Sequence, residues 1–172
     1  MKIKTFTISL LTFLLAACGS HASLNTQDEK IWQAAETISV FQPPAGFEPE
    51  VTVEFKDYTL ISFSGNSPQS HLYLIQSQNE QDETRLSGVL NDLLPGASDF
   101  KQRTTVLENR PVIIRGAQST LIISEGTNGD QLRYRQAMVQ FAGNGGPALL
   151  VYSEPLSRWN EETLNALLAS FE

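Results

Sequence analysis

The alternation of apolar and polar positions changes period several times along the chain, and each change marks an element. Phe6 to Leu15 is apolar apart from Thr7, Ser9 and Thr12, follows Lys2 and Lys4, and closes on the small pair Ala16-Ala17. A basic start, a short apolar run and a small-residue end define a secretory signal peptide over residues 1–17. The run falls short of the roughly 20 residues that a permanent membrane helix needs, and no run of that length follows. Ser20 to Gln27 is small and polar. Such a segment cannot repay the entropy of ordering, so residues 18–27 read as a flexible tether. Ile31, Ala34, Ala35 and Ile38 then recur at helical spacing behind Asp28 and Glu29, whose charges favour a helix N-terminus. Pro43-Pro44-Ala45-Gly46 must end that helix.

From Val51 the period drops to two. Val51, Val53 and Phe55 alternate with Thr52, Glu54 and Lys56, and Tyr58, Leu60 and Ser62 with Thr59, Ile61 and Phe63, which is one long strand or two in succession. Gly65-Asn66-Ser67-Pro68 supplies a turn, and His71 to Gln76, apolar on both faces in its middle, returns antiparallel as a central strand. Helical spacing reappears over Asp82 to Leu94, where Leu86, Val89, Leu90, Leu93 and Leu94 form one stripe that Asp82 can cap and Pro95-Gly96 ends.

Four strand-like runs follow: Thr104 to Glu108, Val112 to Arg115 continuing into Ser119 to Ser124, Arg133 to Ala142, and Ala148 to Tyr152. They are divided at Asn109-Arg110-Pro111, at residues 126–130 and at residues 143–147, and turns of hairpin length imply an antiparallel meander. Leu164, Leu167, Leu168 and Phe171 stripe a last helix that Asn160 can cap. The fold class expected is α+β, a single antiparallel sheet covered by amphipathic helices, in one globular domain over residues 28–172.

Composition narrows the function classes. With 41% hydrophobic and 18% charged residues, the 172-residue chain is neither disordered nor fibrous. Its 19 Asp+Glu against 12 Lys+Arg leave a net charge of -7, and removal of the leader makes this about -9. Electrostatic nucleic-acid binding is excluded, because it needs a basic stripe. A lone cysteine, Cys18, excludes an intrachain disulfide framework, a CxxC redox pair and a cysteine-rich zinc site.

That cysteine stands in a specific setting. Leu15-Ala16-Ala17-Cys18 resembles the lipobox of bacterial lipoproteins. The resemblance implies that the Cys18 thiol receives a diacylglyceryl group, that the leader is cut before Cys18, and that the new amino terminus is acylated, which makes the lipid bilayer the first partner. Each buried CH₂ contributes about 0.8 kcal/mol, and two or more chains give stable anchoring. Gly19 stands where an aspartate would retain an enteric lipoprotein at the inner membrane. By the same resemblance, it implies the inner leaflet of the outer membrane with the domain facing the periplasm.

The order of elements, ending in the strand Ala148 to Tyr152, a corner at Pro155 and the helix Leu164 to Phe171, resembles the Mog1/PsbP-like α/β/α sandwich, which DcrB-like lipoproteins share. That resemblance implies accessory or binding roles without a catalytic centre, and it assigns no binding residue.

Residues capable of chemistry are few. Nucleophilic catalysis needs a Ser or Cys beside a base. Cys18 is consumed by lipid, His21 lies in the tether, and no Gly-x-Ser-x-Gly elbow meets His71, which reads as a strand-end residue half in solvent. Gly143-Asn144-Gly145-Gly146 lacks the Lys-Ser/Thr ending of a phosphate loop and leads into a strand, so it reads as a hairpin turn. Glu125 to Asp130 lacks EF-hand spacing and reads as a polar hairpin tip. Arg133 and Arg135 share one strand face with Arg115 expected close by, and they either receive an anionic ligand or partner or pair with acidic neighbours across strands.

No cofactor or metal is expected. The expected function is a lipid-anchored, periplasm-facing envelope protein with a non-enzymatic binding or accessory role toward an envelope protein or small ligand. The alternative is an envelope hydrolase using carboxylates or a Ser with His71.

Overall fold

A computed structural model describes residues 22–79, 86, 88, 104–128 and 130–172. Within them the chain runs β1 (Ala22–Asn25), α1 (Asp28–Ile38), β2 (Glu48–Phe55), β3 (Tyr58–Ser64), β4 (His71–Ser77), β5 (Thr105–Ile114), β6 (Ala117–Thr127), β7 (Arg133–Gly143), β8 (Gly146–Pro155) and α2 (Glu161–Ala169). The strands form one sheet in the order β1-β2-β3-β4-β8-β7-β6-β5. Every pairing is antiparallel. Two four-stranded meanders therefore meet at β4 and β8, where Leu72 pairs with Tyr152 and Leu74 with Leu150.

Period-two alternation sends Ile61, Phe63, Leu72, Leu74, Leu150 and Tyr152 to one face, where they pack with Ile31, Ala35 and Ile38 of α1 and Leu164, Leu167 and Leu168 of α2. An aromatic seam joins the layers: Trp32 lies 5.0 Å from Phe63 and Phe41 4.9 Å from Phe171. Each large side chain so buried stabilises the fold by about 1.5 to 3 kcal/mol. On the opposite face Leu60, Ile75, Leu149 and Val151 cluster with Leu86, which is helical and fully buried. Leu86 belongs to the stripe read over Asp82 to Leu94. The rest of that stripe, Leu90 included, and its Pro95-Gly96 end lie outside the described residues.

Two expectations are corrected and one open alternative is decided. Ala22–Asn25, read as tether, is strand β1, because its backbone completes the edge of β2 in the register Ala22 to Phe55 and Leu24 to Val53. The domain thus starts six residues earlier than Asp28. Residues 51–63 are two strands that reverse at Lys56-Asp57, where Lys56 takes a φ of 54°. Asn109-Arg110-Pro111 is no break: β5 runs through it, and the reversal comes at Arg115 (φ 51°) and Gly116 (φ 73°). Proline is tolerated there because β5 ends the sheet, so a missing N–H toward solvent breaks no ladder bond.

Helix ends agree with the pattern. Asn160 Oδ1 accepts from the backbone N–H groups of Glu162 (2.7 Å) and Thr163 (3.3 Å), while α1 begins on the charges of Asp28 and Glu29 without a side-chain cap.

Candidate functional site

The register brings the β2–β3, β5–β6 and β7–β8 turns to one end of the sheet, where Phe55 pairs with Tyr58, Ile114 with Ala117 and Gly143 with Gly146. A cleft of about 1000 Å³ opens at this end, on the face opposite α1 and α2. Ile122, Met138 and Leu149 line it from adjacent strands, and Gln78, Gln118 and Asn144 bring polar groups to it. Its described lining residues are all uncharged, which suits a neutral, partly apolar ligand.

Gly143 to Gly146 forms the tight reversal expected of it, and close packing explains its glycines. A Cβ on Gly145 would stand 2.7 Å from Gln76 Oε1, and Gly146, at a φ of 146°, lies against the Ser77 carbonyl. Asn144 fixes the loop: its N–H donates to Ile38 O (2.8 Å), its Nδ2 to Glu36 O (3.2 Å), and its Oδ1 accepts from Arg115 Nη2 (2.7 Å). Arg115 Nη1 also donates to Ala142 O at 2.7 Å.

Arg115 is therefore at the turn end, not beside Arg133 and Arg135, which begin β7 at the other end of the sheet. Both of those arginines converge on Glu125. Arg133 Nε lies 3.0 Å from Oε1 and Arg135 Nε 3.2 Å from Oε2, an arrangement set by the direct pairing of Arg135 with Glu125. The hydrogen bond from Arg133, with that from Arg135 adding to it, holds the Glu125 carboxyl below its ordinary value of 4.5 against a smaller opposing effect of burial. The pair is thus engaged with an internal carboxylate. The Glu125 to Asp130 tip is organised by Asn128, whose Oδ1 accepts from the N–H groups of Asp130 (3.1 Å) and Leu132 (2.9 Å). Among the described residues, no group of His, Cys, Asp and Glu could hold a metal ion.

His71 opens β4, stacked on Tyr73 at 5.4 Å with its side chain 22% exposed. Its Nε2 lies 2.9 Å from Pro68 O; a carbonyl only accepts, so Nε2 carries the hydrogen. Nδ1 lies 3.9 Å from Glu50 Oε2, which accepts from Ser62 Oγ at 2.9 Å. Ser153 stands directly across from His71 on β8, and both its Oγ and His71 Nδ1 are buried without a hydrogen-bond partner among the described residues. A Ser-His-acid triad uses opposite ring nitrogens for serine and acid. Here Pro68 occupies Nε2, the nitrogen opposite the one that faces Glu50, so that nitrogen is not open to a serine.

Pattern reasoning had no signal for one further pair. Ser70 Oγ donates to Glu154 Oε2 at 2.5 Å, both residues buried, across 84 positions of sequence. Tyr134 and Tyr152, like Phe141, are core side chains. No helix of the described residues is long and apolar enough to cross a membrane. Cys18 lies outside the described residues. Neither any protein-family model nor any curated protein sequence matches the chain.

Proposed function

We propose that the chain is a lipid-anchored envelope protein whose α+β domain has a non-enzymatic binding or accessory role in the periplasm, toward an envelope protein or a neutral ligand in the turn-end cleft. The observation that carries the reading is Leu15-Ala16-Ala17-Cys18, the only cysteine of the chain placed directly after a signal-peptide-like leader. Acylated Cys18 supplies the anchor, and Gly19 favours the inner leaflet of the outer membrane. The uncharged cleft supports binding of a neutral molecule. A sheet covered by α1 and α2 on one face, with helical Leu86 buried on the other, supports the Mog1/PsbP-like and DcrB-like sandwich reading.

The hydrolase reading draws support from Ser153 and His71 facing each other across β4 and β8. Against it stand the 3% exposure of Ser153 and the placement of Glu50 on the Nδ1 side.

Affinity capture of the lipidated protein from its own envelope tests the binding role. Specific proteins or a neutral lipid-soluble molecule retained by the wild type and lost when Met138 in the cleft is replaced by Asp support it. Turnover of envelope esters that Ser153→Ala and His71→Ala both abolish would replace it with the hydrolase reading.

A further inference from the structure

We infer that the turn end of the sheet lies on the bilayer, with Lys56 facing anionic lipid headgroups; this rests on Cys18 being the lipid anchor. Only Gly19, Ser20 and His21 separate Cys18 from β1. At 3.3–3.6 Å per residue, Ala22 stands within about 14 Å of the acylated residue. Ala22 pairs with Phe55, so the β2–β3 turn starts beside the first ordered residue. The opposite end of the sheet, at Arg133, is about 35 Å away along the 11 residues of β7. Having β1 folded into the domain, in place of a long tether, is what makes the anchor set an orientation.

Side chains at this end fit a lipid surface. Lys56 and Arg115 occupy left-handed backbone positions, at φ 54° and 51°, where glycine or asparagine is more stable. The Arg115 guanidinium braces the β7–β8 loop, and the strained basic position at Lys56 is the one that points to a further use. Lys56 Nζ lies 5.0 Å over the Phe55 ring, pairing an aromatic with a cation as interfacial segments do, and Leu24 of β1 is 51% exposed nearby. Strand and turn residues at this end are balanced, Lys56 and Arg115 against Glu54 and Asp57, with Glu36 and Glu172 close by at the end of α1, so the cation offered to the surface is the single side chain of Lys56. The cleft opens on the end so oriented, within reach of molecules that partition into the membrane.

Because acylation blocks the Cys18 thiol, a single introduced cysteine can be labelled in the full lipidated chain. An environment-sensitive fluorophore is placed at Asp57→Cys in the β2–β3 turn or at Asp130→Cys in the β6–β7 turn. Each protein is reconstituted into vesicles of phosphatidylethanolamine and phosphatidylglycerol carrying a headgroup-attached quencher. The expected result is quenching several-fold stronger at position 57 than at 130. Lys56→Gly in the position-57 background should reduce that difference while raising the urea midpoint, since glycine relieves the turn; a folding defect would lower the midpoint instead. A long Gly/Ser insertion after Cys18 should reduce the difference too. Vesicle-bound protein with equal quenching at both positions overturns the orientation and leaves the anchor standing. Protein that fails to float with the vesicles overturns the anchor, and the orientation with it.

Discussion

Glu125 receives two arginines, and the acid limb of stability follows from that. A carboxyl held below its ordinary 4.5 stabilises the fold at pH above that value, and the contribution is lost as pH falls through the lower folded value. Arg133→Gln is therefore expected to be less stable than wild type near neutrality and to converge on it in urea unfolding as pH falls through that lower folded value. A difference that stays constant with pH would contradict the pairing. Burial acts in the opposite range on Tyr134, raising its hydroxyl from 10.0 to about 12. The stability that goes with the neutral phenol is complete below pH 10 and lost between 10 and 12, so Tyr134→Phe should flatten the alkaline limb. Tyr152 and Tyr73 shift the same way, chiefly through burial. Asn160→Ala removes both cap bonds of α2 and should cost about 1 kcal/mol in the same titration.

α1, β3, β4, β7, β8 and α2 could be read from period alone because each buries a continuous stripe or alternates against one. Ile31, Ala35 and Ile38 on α1 and Leu164, Leu167 and Leu168 on α2 are buried as their spacing requires. Elements whose formation depends on a distant partner could not be read in this way. β1 is four residues with one large apolar side chain, and only the free edge of β2 makes it a strand. The reversal at Lys56 carries a basic residue where turn chemistry favours Gly or Asn and gives no local signal, whereas Gly116 does mark the reversal beside Arg115; Pro111 looks like a break because its place at a sheet edge is a tertiary fact. The site divides likewise. The glycine turn followed from composition, whereas the cleft and the Ser70–Glu154 pair arise from strands far apart in sequence. Leu167 is 1% exposed, so Leu167→Ala should lower unfolding free energy by about 2 to 5 kcal/mol. A loss under about 0.5 kcal/mol would make that stripe an interaction face instead.

At the scale of the molecule, an acidic single-sheet domain follows a lipobox-like leader with almost no linker between them. A chain beginning at Ala22 should be soluble and monomeric, since its net charge is far from zero. One beginning at Asp28 uncovers the edge of β2 and should self-associate in sedimentation. If both sediment alike, β1 does not protect that edge. All functional placement depends on Cys18. Mass spectrometry of the amino-terminal peptide of the membrane-recovered protein tests it most directly. The peptide should begin at Cys18 and carry a diacylglyceryl thioether with an acylated α-amino group, and Cys18→Ala protein should leave the membrane fraction once its leader is removed. A mature chain with a free Cys18 thiol, or one that starts elsewhere and still pellets with membranes, would contradict it.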